Sequence, residues 1–344
     1  MTDATADVKD AAEIDLPDAP PIRGLRFRRL GDATDWPAMA VVMTASSLAD
    51  GDDYAPSGEN LRIEAENRTG FDLARDLLLA DVDGQVVAWA DGQVHIRDGR
   101  PVHHLTGVVL PEYRRRGIGR AMLRWNERRA RGLAATDPSL GGPAAQLGAW
   151  VGDGELGAIA LPGQEGYVVN RYGFTMIRRG LDDVEPVALP DGVEVRPVEP
   201  EQHRAIWAAD NEAFRDHFEH REQTDDDFAA QFGQPELDTS LWRVAWAGDE
   251  VAGSVQSWIW TDENETLGVR RGWLERISVR RPWRRRGLAR ALIASALIEL
   301  RERGMDEAML GVDAENPTGA LSVYESVGFV VKQRSSSFRK ALFE

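Results

Sequence analysis

The feature that most constrains the fold of this chain is that its sequence repeats itself once. The segment VVLPEYRRRGIGRAML (108–123) aligns with SVRRPWRRRGLARALI (278–293), so Gly117 corresponds to Gly287, 170 residues later. The further matches occur in the same order along the chain: LRFRRL (25–30) with VEVRPV (193–198), DGQVVAW (83–89) with GDEVAGS (248–254), and NRYGF (170–174) with ESVGF (325–329). Because this period is far above the roughly 20–50 residues of solenoid repeats, the pattern indicates a duplicated domain.

Composition marks the domain boundaries that we expect. The segment MTDATADVKDAAEIDLPDAPP (1–21) is acidic and lacks the basic and apolar regions of a signal peptide, so we predict a disordered tail. The segment DDVEPVALPDG (182–192) is acidic and contains two prolines between two strand-like runs, which is typical of a linker. We therefore predict a first domain over 22–184, a linker over 185–192 and a second domain over 193–344.

Hydrophobic periodicity predicts the same element order in both repeats. In the second repeat, 241–260 is typical of two strands joined by the turn AGDE, and 273–279 and 308–314 are typical of further strands. A helix with one buried face is predicted between them by the spacing of Ala289, Ile293, Ala296, Leu297 and Leu300. The first repeat has a shorter copy of that face in Ile118, Ala121, Met122 and Trp125. The predicted fold class is therefore α+β, with a mixed central sheet flanked by helices in each domain.

Charge and composition exclude several classes of function. The net charge of −16 argues against non-specific nucleic-acid binding, whose usual footprint is a basic surface. The chain has no cysteine, which excludes a disulfide framework, a thiol nucleophile and a thiolate metal site. The apolar stretches fall far short of the roughly 18 residues of a spanning helix. We expect no nucleic-acid, membrane or metal partner, and a cytoplasmic location.

Two short basic segments, Arg114–Arg116 and Arg284–Arg286, each lie between a predicted strand and a predicted helix. Both continue as R-x-x-G-x-[G/A], and the first turn of a helix presents unpaired N–H groups and a dipole that favours an anion. Glycine and alanine let a pyrophosphate approach the main chain. The sequence therefore predicts two anion cradles. Neither G-x-G-x-x-G nor G-x-x-x-x-G-K-[ST] is present, which argues against a dinucleotide-binding fold and a nucleoside triphosphatase.

Both repeats resemble the GNAT superfamily of acetyl-CoA-dependent N-acetyltransferases, over nearly all of residues 22–344. The second repeat also has the signature N-x-x-x-A-x-x-x-Y-x-x-x-G-F, which runs from Asn316 through Tyr324 to Phe329. Two such units in one chain resemble mycothiol synthase and related bacterial tandem acetyltransferases. The resemblance implies two tandem GNAT-like domains, acetyl-CoA as a co-substrate without a metal, and a small-molecule amine as the acceptor.

The resemblance also implies which residues contact the coenzyme. Main-chain groups of Ile277, Ser278 and Val279 would bind the pantetheine arm and the carbonyl, the N–H groups of Arg285–Arg290 the pyrophosphate, and Asn316 the pantetheine arm. The coenzyme-binding residues that we expect are Ile277, Ser278, Val279, Arg284, Arg285, Arg286, Gly287, Leu288, Ala289, Arg290 and Asn316 in the second repeat, and Val109, Arg114, Arg115, Arg116, Gly117, Ile118, Gly119 and Arg120 in the first.

Two residues of the second repeat are candidates for the chemistry. Acetyl transfer needs an unprotonated amine, a stabilised oxyanion and a proton for the thiolate. Tyr324 matches the family's tyrosine that protonates the thiolate of coenzyme A. Glu275 lies on the strand before the cradle, and a period of two is expected to place its side chain on the face of Ile277 and Val279. Glu275 is the candidate base or amine-orienting group, or it pairs with a neighbouring arginine, Arg276 or Arg271.

The first repeat lacks both chemical groups. Counting back from Gly173 places Val169 where the second repeat has Tyr324, and Leu105 aligns with Glu275 (275 − 170). The first domain is therefore predicted to hold coenzyme or to be structural, and catalysis is predicted in the second.

Three functions remain open at this stage. The leading one is N-acetylation of a primary amine of a small molecule. The others are acetylation of a cysteinyl amine of the mycothiol synthase type, and a non-catalytic protein that senses acetyl-CoA. His217 and His220 have a spacing that suggests a metal site, but no third ligand is evident, so we expect them in a substrate loop.

Overall fold

The computed structural model of the chain describes residues 12–218, 220–234, 236–315 and 319–343. They divide into two compact units. Unit 1 contains the chain up to Asn170 together with the segment from Ser336 onwards, and unit 2 contains Arg171–Ser335.

Unit 1 is built on a mixed sheet. Its strands are β1 (Leu25–Arg28), β2 (Leu77–Val82), β3 (Gln85–Arg97), β4 (Arg100–Val109) and β5 (Gln146–Gly152), in that order, followed by the end of the last strand of the chain. Its helices are α1 (Asp35–Ala49), α2 (Gly58–Asn67), α3 (Leu73–Asp76), α4 (Ile118–Thr136) and α5 (Leu156–Gln164). Strands β4 and β5 are parallel, and the pairs from β1 to β4 are antiparallel.

Unit 2 repeats this plan. Its strands are β6 (Val168–Arg179), β7 (Glu194–Arg196), β8 (Arg243–Ala247), β9 (Glu250–Trp258), β10 (Arg271–Val279) and β11 (Glu307–Asp313), in the spatial order β6-β11-β10-β9-β8-β7, and the last strand of the chain is β12 (Val330–Ala341). Its helices are α6 (His203–Phe214), α7 (Asp225–Phe232), α8 (Thr261–Leu267), α9 (Leu288–Glu302) and α10 (Ala320–Ser326). Strands β10 and β11 are parallel, and the predicted α+β class with a mixed sheet is confirmed in each unit.

The domain boundaries differ from those that we predicted, because most of β6 and the end of β12 belong to the other unit. Strand β6 was assigned to the first domain, but it pairs antiparallel with β11 along Gly173–Arg179 in unit 2. The end of the chain was assigned to the second domain, but Leu342 donates its backbone N–H to the carbonyl of Ala145 in unit 1, at 2.9 Å. Strand pairing over such separations leaves no mark in the local sequence pattern.

The segments predicted as a tail and a linker are packed where the structure describes them. Leu16 is buried in the core of unit 1, and the backbone N–H of Ile14 donates to the carbonyl of Phe27 at 2.7 Å. In the segment before the predicted linker, Leu181 is buried in the core of unit 2, and Leu189 within the linker packs against that core. Burying one such side chain contributes about 1.5–3 kcal/mol, which explains how a few apolar residues order these acidic segments.

The predicted helix faces form the cores of both units. Ile118, Ala121, Met122 and Trp125 of α4 are all buried, as predicted. In α9 the face is rotated slightly, because Leu288 is buried and Ala289 is only partly buried. None of the helices in the described part of the chain combines the length and apolar character that a membrane span requires.

In each unit the two central parallel strands separate after a short paired stretch. Strand β10 pairs with β11 from Arg271 to Trp273 and then continues to Val279. Strand β4 pairs with β5 from Val102 to His104 and then continues to Val109. This divergence opens a cleft beside the start of the following helix in both units.

Candidate active site

A cavity of about 730 Å³ lies in unit 2, where β10 and β11 diverge. Its wall includes three predicted groups of residues: the end of β10, the glycine segment before α9, and Tyr324 on α10. The predicted coenzyme-binding residues in this wall are Ile277, Ser278, Val279, Arg284, Arg285, Gly287, Leu288, Ala289 and Arg290. Arg286 lies outside the wall, and Asn316 lies outside the described residues.

The glycine segment has the backbone geometry of an anion cradle. Gly287 adopts φ of +82° and Arg285 adopts φ of +59°, a left-handed conformation that costs a non-glycine residue about 1–2 kcal/mol. Helix α9 begins at Leu288, and its N-cap residue Gly287 provides no side-chain capping bond. The first-turn N–H groups are therefore free for a ligand, and alternating left-handed residues make such N–H groups converge on an anion.

The three arginines of the second cradle have different surroundings. The guanidinium of Arg284 is fully engaged: it donates to Asp216 at 2.6 Å, to the carbonyl of Ala213 at 3.0 Å and to that of Val279 at 2.8 Å. Within the described residues, Arg285 and Arg286 form no ion pair. Arg284 therefore braces the loop, whereas the positive charge available to a ligand comes from its neighbours.

Asp216 is the carboxylate that pairs with Arg284 and so stabilises this loop. Hydrogen bonds from Arg281 and Arg284 hold the pKa of its carboxyl well below the usual value of 3.8. The residue follows α6, and Asp50 takes the same place after α1, where it pairs with Arg114 at 2.6 Å. The sequence analysis missed Asp216. The repeat could have indicated it, because Asp50 and Asp216 align at an offset close to that of the neighbouring strands.

Tyr324 is suited to hold a proton at neutral pH. Its side chain is buried against Phe329, and its ring also forms part of the cavity wall. Burial raises the pKa of the phenol to about 12, because the phenolate would be poorly solvated there. A phenol with this pKa stays protonated across the neutral pH range.

Glu275 lies at an irregularity of its strand, so the face that we predicted for its side chain stays a prediction. The pairing of β10 with β9 shifts register between Leu274 and Arg276, which makes Glu275 the extra residue of a β-bulge. Because a bulge interrupts the period of two, the alternation from Ile277 does not assign a face to Glu275. Its carboxylate accepts a hydrogen bond from the indole of Trp260 at 3.4 Å, and it is absent from the wall that Tyr324 shares.

The surroundings of Glu275 change its acidity. The side chain is solvent-accessible, yet the protein around it removes enough water to raise the pKa of the carboxyl above 4.5. The bond from Trp260 lowers that pKa, and the nearby carboxylate of Glu263 raises it again. The pairing with an arginine that we considered does not form: Arg276 binds Asp210 at 2.6 Å, and Arg271 binds Glu307 at 2.7 Å.

Unit 1 has a matching cavity of about 720 Å³. Arg115 and Gly117 again adopt positive φ, +62° and +96°, before the helix starts at Ile118. The predicted residues in its wall are Val109, Arg114, Arg115, Gly117, Gly119 and Arg120, whereas Arg116 and Ile118 lie outside it. The side chain of Arg120 is paired with Glu165 at 2.9 Å.

The counterpart of Tyr324 in unit 1 is Pro162, and our prediction of Val169 was wrong. In unit 2 the N–H of Phe329 donates to the carbonyl of Tyr324 at 3.1 Å, and in unit 1 the N–H of Tyr167 donates to the carbonyl of Pro162 at 2.9 Å. In each pair a glycine with positive φ lies in the chain between the two residues. Val169 lies further along the chain, on strand β6. The NRYGF match was therefore misleading, but the absence of an acid group in this place is unchanged.

Unit 1 also lacks the bulge. Strands β3 and β4 pair without interruption from Ala88 to Arg97, and Leu105 lies opposite Gly92 in that ladder. Leu105 is buried, and neither a carboxylate nor a strand irregularity occurs at the position aligned with Glu275. The two units thus share the cradle and the cleft, and they differ at the positions of Tyr324 and Glu275.

Several residues around the cleft of unit 2 were missed or assigned no chemistry. Helix α8 brings the buried carboxylate of Glu263 to the indole of Trp273 at 3.1 Å. His217, which we expected in a substrate loop, lies in the cavity wall. In the described part of the chain, no cluster of three or more candidate ligands for a metal is found.

The sequence and the fold are similar to those of known acetyltransferases. The model of the acetyltransferase (GNAT) family matches residues 203–329, and that of the acetyltransferase (GNAT) domain matches 74–147. A mycothiol acetyltransferase of Salinispora arenicola is 32% identical over 305 residues, which cover 87% of this chain and 92% of that protein.

Two solved structures match almost the whole chain. A GCN5-related N-acetyltransferase from Sphaerobacter thermophilus superposes with a TM-score of 0.73 at 27% identity, over 95% of this chain and 97% of that one. A tandem GNAT protein from the clavulanic acid biosynthesis pathway gives 0.65 at 17% identity, over 93% and 99%. The similarity to the second structure, at 17% identity, shows a shared fold only.

Proposed function

The chain belongs to the GNAT family of acetyltransferases, and from this premise we propose that unit 2 transfers the acetyl group of acetyl-CoA to a primary amine of a small molecule. One observation carries the proposal: the anion cradle, the diverging end of β10 and Tyr324 share a single cavity. A pyrophosphate site, a free strand edge and a proton donor are the three parts that a thioester donor needs.

The coenzyme would be held by main-chain groups. The N–H groups of Arg285–Arg290 suit the pyrophosphate, because Gly287 leaves the first turn of α9 uncapped. The pantetheine arm would run along Ile277, Ser278 and Val279, whose strand has diverged from β11. A backbone N–H of this stretch would then bind the carbonyl oxygen and stabilise the oxyanion.

The chemical roles follow from the surroundings of two side chains. Tyr324 donates a proton to the departing thiolate, since burial keeps its phenol protonated. Glu275 orients the acceptor amine or receives its first proton, directly or through water. The carboxylates of Glu275 and Glu263 attract an acceptor that arrives as an ammonium ion.

Unit 1 would hold coenzyme without turning it over. Its cleft and left-handed cradle residues match those of unit 2, which supports binding. Pro162 and Leu105 stand where unit 2 has its acid and its carboxylate, so these two places have no group to protonate a thiolate or to orient an amine.

A second candidate for the acceptor is a cysteinyl amine of the kind used by mycothiol acetyltransferases. The observation that favours it is the 32% identity to the Salinispora protein over 92% of its length. Both candidates present a primary amine, so the proposed roles of Tyr324 and Glu275 are the same for each.

The test is a thiol-release assay over a panel of small primary amines and cysteinyl amines, with acetyl-CoA binding measured in parallel. We expect release of one thiol per acetylated amine, with product identified by mass spectrometry. Turnover of cysteinyl amines alone would favour the second acceptor. Tight binding of acetyl-CoA without turnover of any amine would contradict the proposal and support a sensor.

A further inference from the structure

The imidazole of His217 lies in the wall of the cavity that also contains Tyr324 and the end of β10. The residue follows α6, and its ring packs on that of Phe214 with 4.3 Å between centroids. Glu275, the other candidate proton acceptor, is not among the residues of this wall. The wall thus contains an imidazole together with the phenol of the proposed acid.

Charged groups on four elements act electrostatically on the ring. They are Asp210 on α6, Arg276 on β10, Arg284 in the cradle and Asp313 at the end of β11. Arg276 and Asp313 lie on the two strands that diverge, and His217 lines the cavity that contains the end of β10.

Each of these charges is already paired. Asp210 binds Arg276 at 2.6 Å, Arg284 binds Asp216 at 2.6 Å, and Asp313 binds Arg171 at 2.7 Å. Among these groups no carboxylate is left over to hold the ring as an imidazolium, and burial lowers the pKa of His217 below 6.5. Within the described residues the ring nitrogens have no hydrogen-bond partner, so a neutral imidazole is free to accept a proton from a ligand.

We propose that His217 accepts the proton that the attacking nitrogen loses as its bond to the acetyl carbon forms. This inference rests on the proposed function and assigns it a further catalytic residue. Glu275 then has the earlier task of orienting the ammonium group and receiving its first proton.

The proton balance defines what each group must do. The acceptor ammonium loses one proton to Glu275, which releases it to solvent, and the amine attacks the thioester carbonyl. The N–C bond forms, the C–S bond breaks, and sulfur takes the electron pair together with the proton of Tyr324. The nitrogen gives its second proton to His217, which returns it to the Tyr324 phenolate through the cavity. The sum is ammonium plus acetyl-CoA going to amide, coenzyme A thiol and one proton.

The test compares His217→Gln with His220→Gln in the full chain. Glutamine keeps a similar size but has no basic nitrogen, and His220 is three residues away and outside the cavity wall. We expect His217→Gln to lower kcat by about 10²-fold, within the usual range of 10²–10⁴ for general acid–base catalysis, with the Kd for acetyl-CoA unchanged. His220→Gln should retain the kcat of the wild type.

Two further readouts separate proton transfer from packing. The kcat of the wild type should fall as the pH drops through the pKa of His217, below 6.5, and this limb should be absent from His217→Gln. Added imidazole should restore part of the kcat of His217→Ala, since it fits the space that the ring leaves. An unchanged acid limb in His217→Gln, or a kcat equal to the wild type, would overturn the inference.

The result also distinguishes this inference from the proposed function. If the wild-type chain acetylates an amine and His217→Gln does so equally well, only the role of His217 is wrong. If the wild-type chain releases no thiol with any amine, the proposed function fails and this inference fails with it.

Discussion

Arg284 and Asp216 form an ion pair of 2.6 Å that joins the second cradle to the end of α6, and unit 1 repeats it with Arg114 and Asp50. We predict that Asp216→Ala raises the Kd for acetyl-CoA in unit 2 about tenfold, or about 1.4 kcal/mol, because the loop loses its brace. Isothermal titration calorimetry measures the effect. Asp50→Ala is the matched control and should leave turnover unchanged; equal binding by Asp216→Ala and wild type would show the brace to be dispensable.

The same pair predicts how the cradle responds to acid. The carboxyl of Asp216 has a pKa below 3.8, so its ion pair with Arg284 is fully formed above pH 3.8. The ion pair is lost only as the pH falls through the lowered pKa. Coenzyme binding should therefore be insensitive to this group at neutral and mildly acidic pH. A loss of affinity between pH 5 and pH 7 that Asp216→Ala abolishes would contradict this assignment.

Tyr324→Phe tests the proton donor. We expect kcat to fall by about 10²–10⁴-fold with little change in the Kd for acetyl-CoA, because only the hydroxyl is removed. The raised pKa, about 12, means that the wild-type phenol should not ionise during an assay up to about pH 10. Tyr172→Phe, on strand β6, provides the control for loss of a tyrosine hydroxyl. Wild-type kcat in Tyr324→Phe at every pH would show that the residue is structural.

Glu275→Gln tests the carboxylate on the bulge. The pKa of this group is raised above 4.5, so its charged form is lost as the pH falls through that raised value. We expect the variant to raise KM for the amine about tenfold and to change kcat less, since a neutral amide cannot attract an ammonium ion. Steady-state kinetics with varied amine gives both constants. An unchanged KM would remove Glu275 from the acceptor site.

The two cradle glycines test the division of labour between the units. A valine at Gly287 or Gly117 must adopt a positive φ, which distorts either cradle. We expect Gly287→Val to abolish turnover, and Gly117→Val to reduce the number of coenzyme molecules bound while sparing most turnover. Circular dichroism confirms that both remain folded. Activity that survives in Gly287→Val and disappears in Gly117→Val would reverse the proposed roles.

Gly272→Ala tests the packing under the divergence of β10 and β11. A Cβ at this position would lie 2.4 Å from Cδ2 of Leu300, in the core of unit 2. Overpacking of this kind costs about 1–3 kcal/mol in the free energy of unfolding. Urea denaturation should show a lower midpoint with an unchanged slope. Gly311→Ala, on β11 with nothing within 4 Å, is the matched control and should be close to neutral.

The features that could be predicted from sequence are those that depend on neighbours along the chain. The helix faces of α4 and α9, the hairpin of β8 and β9, and the strand–glycine–helix order of both cradles were predicted, because periodicity and turn chemistry act over a few residues. Tyr324 was named as a candidate because of its motif, whose described residues from Ala320 onwards lie on one helix and the turn after it. The position of unit 1 that corresponds to Tyr324 has no acidic side chain, as predicted, but it is Pro162 and not Val169.

By itself the sequence determined that the chain contains two GNAT-like units and that only the second has both Tyr324 and Glu275. Tertiary structure alone decided where each unit ends, because β6 and the end of β12 pair with strands that are far away in sequence. It also decided that Glu275 lies at a bulge, since the bulge depends on the register with β9, and it brought His217 into the cavity wall. Hydrogen-bond registers between distant strands are set by the whole packed structure, and a local pattern does not record them.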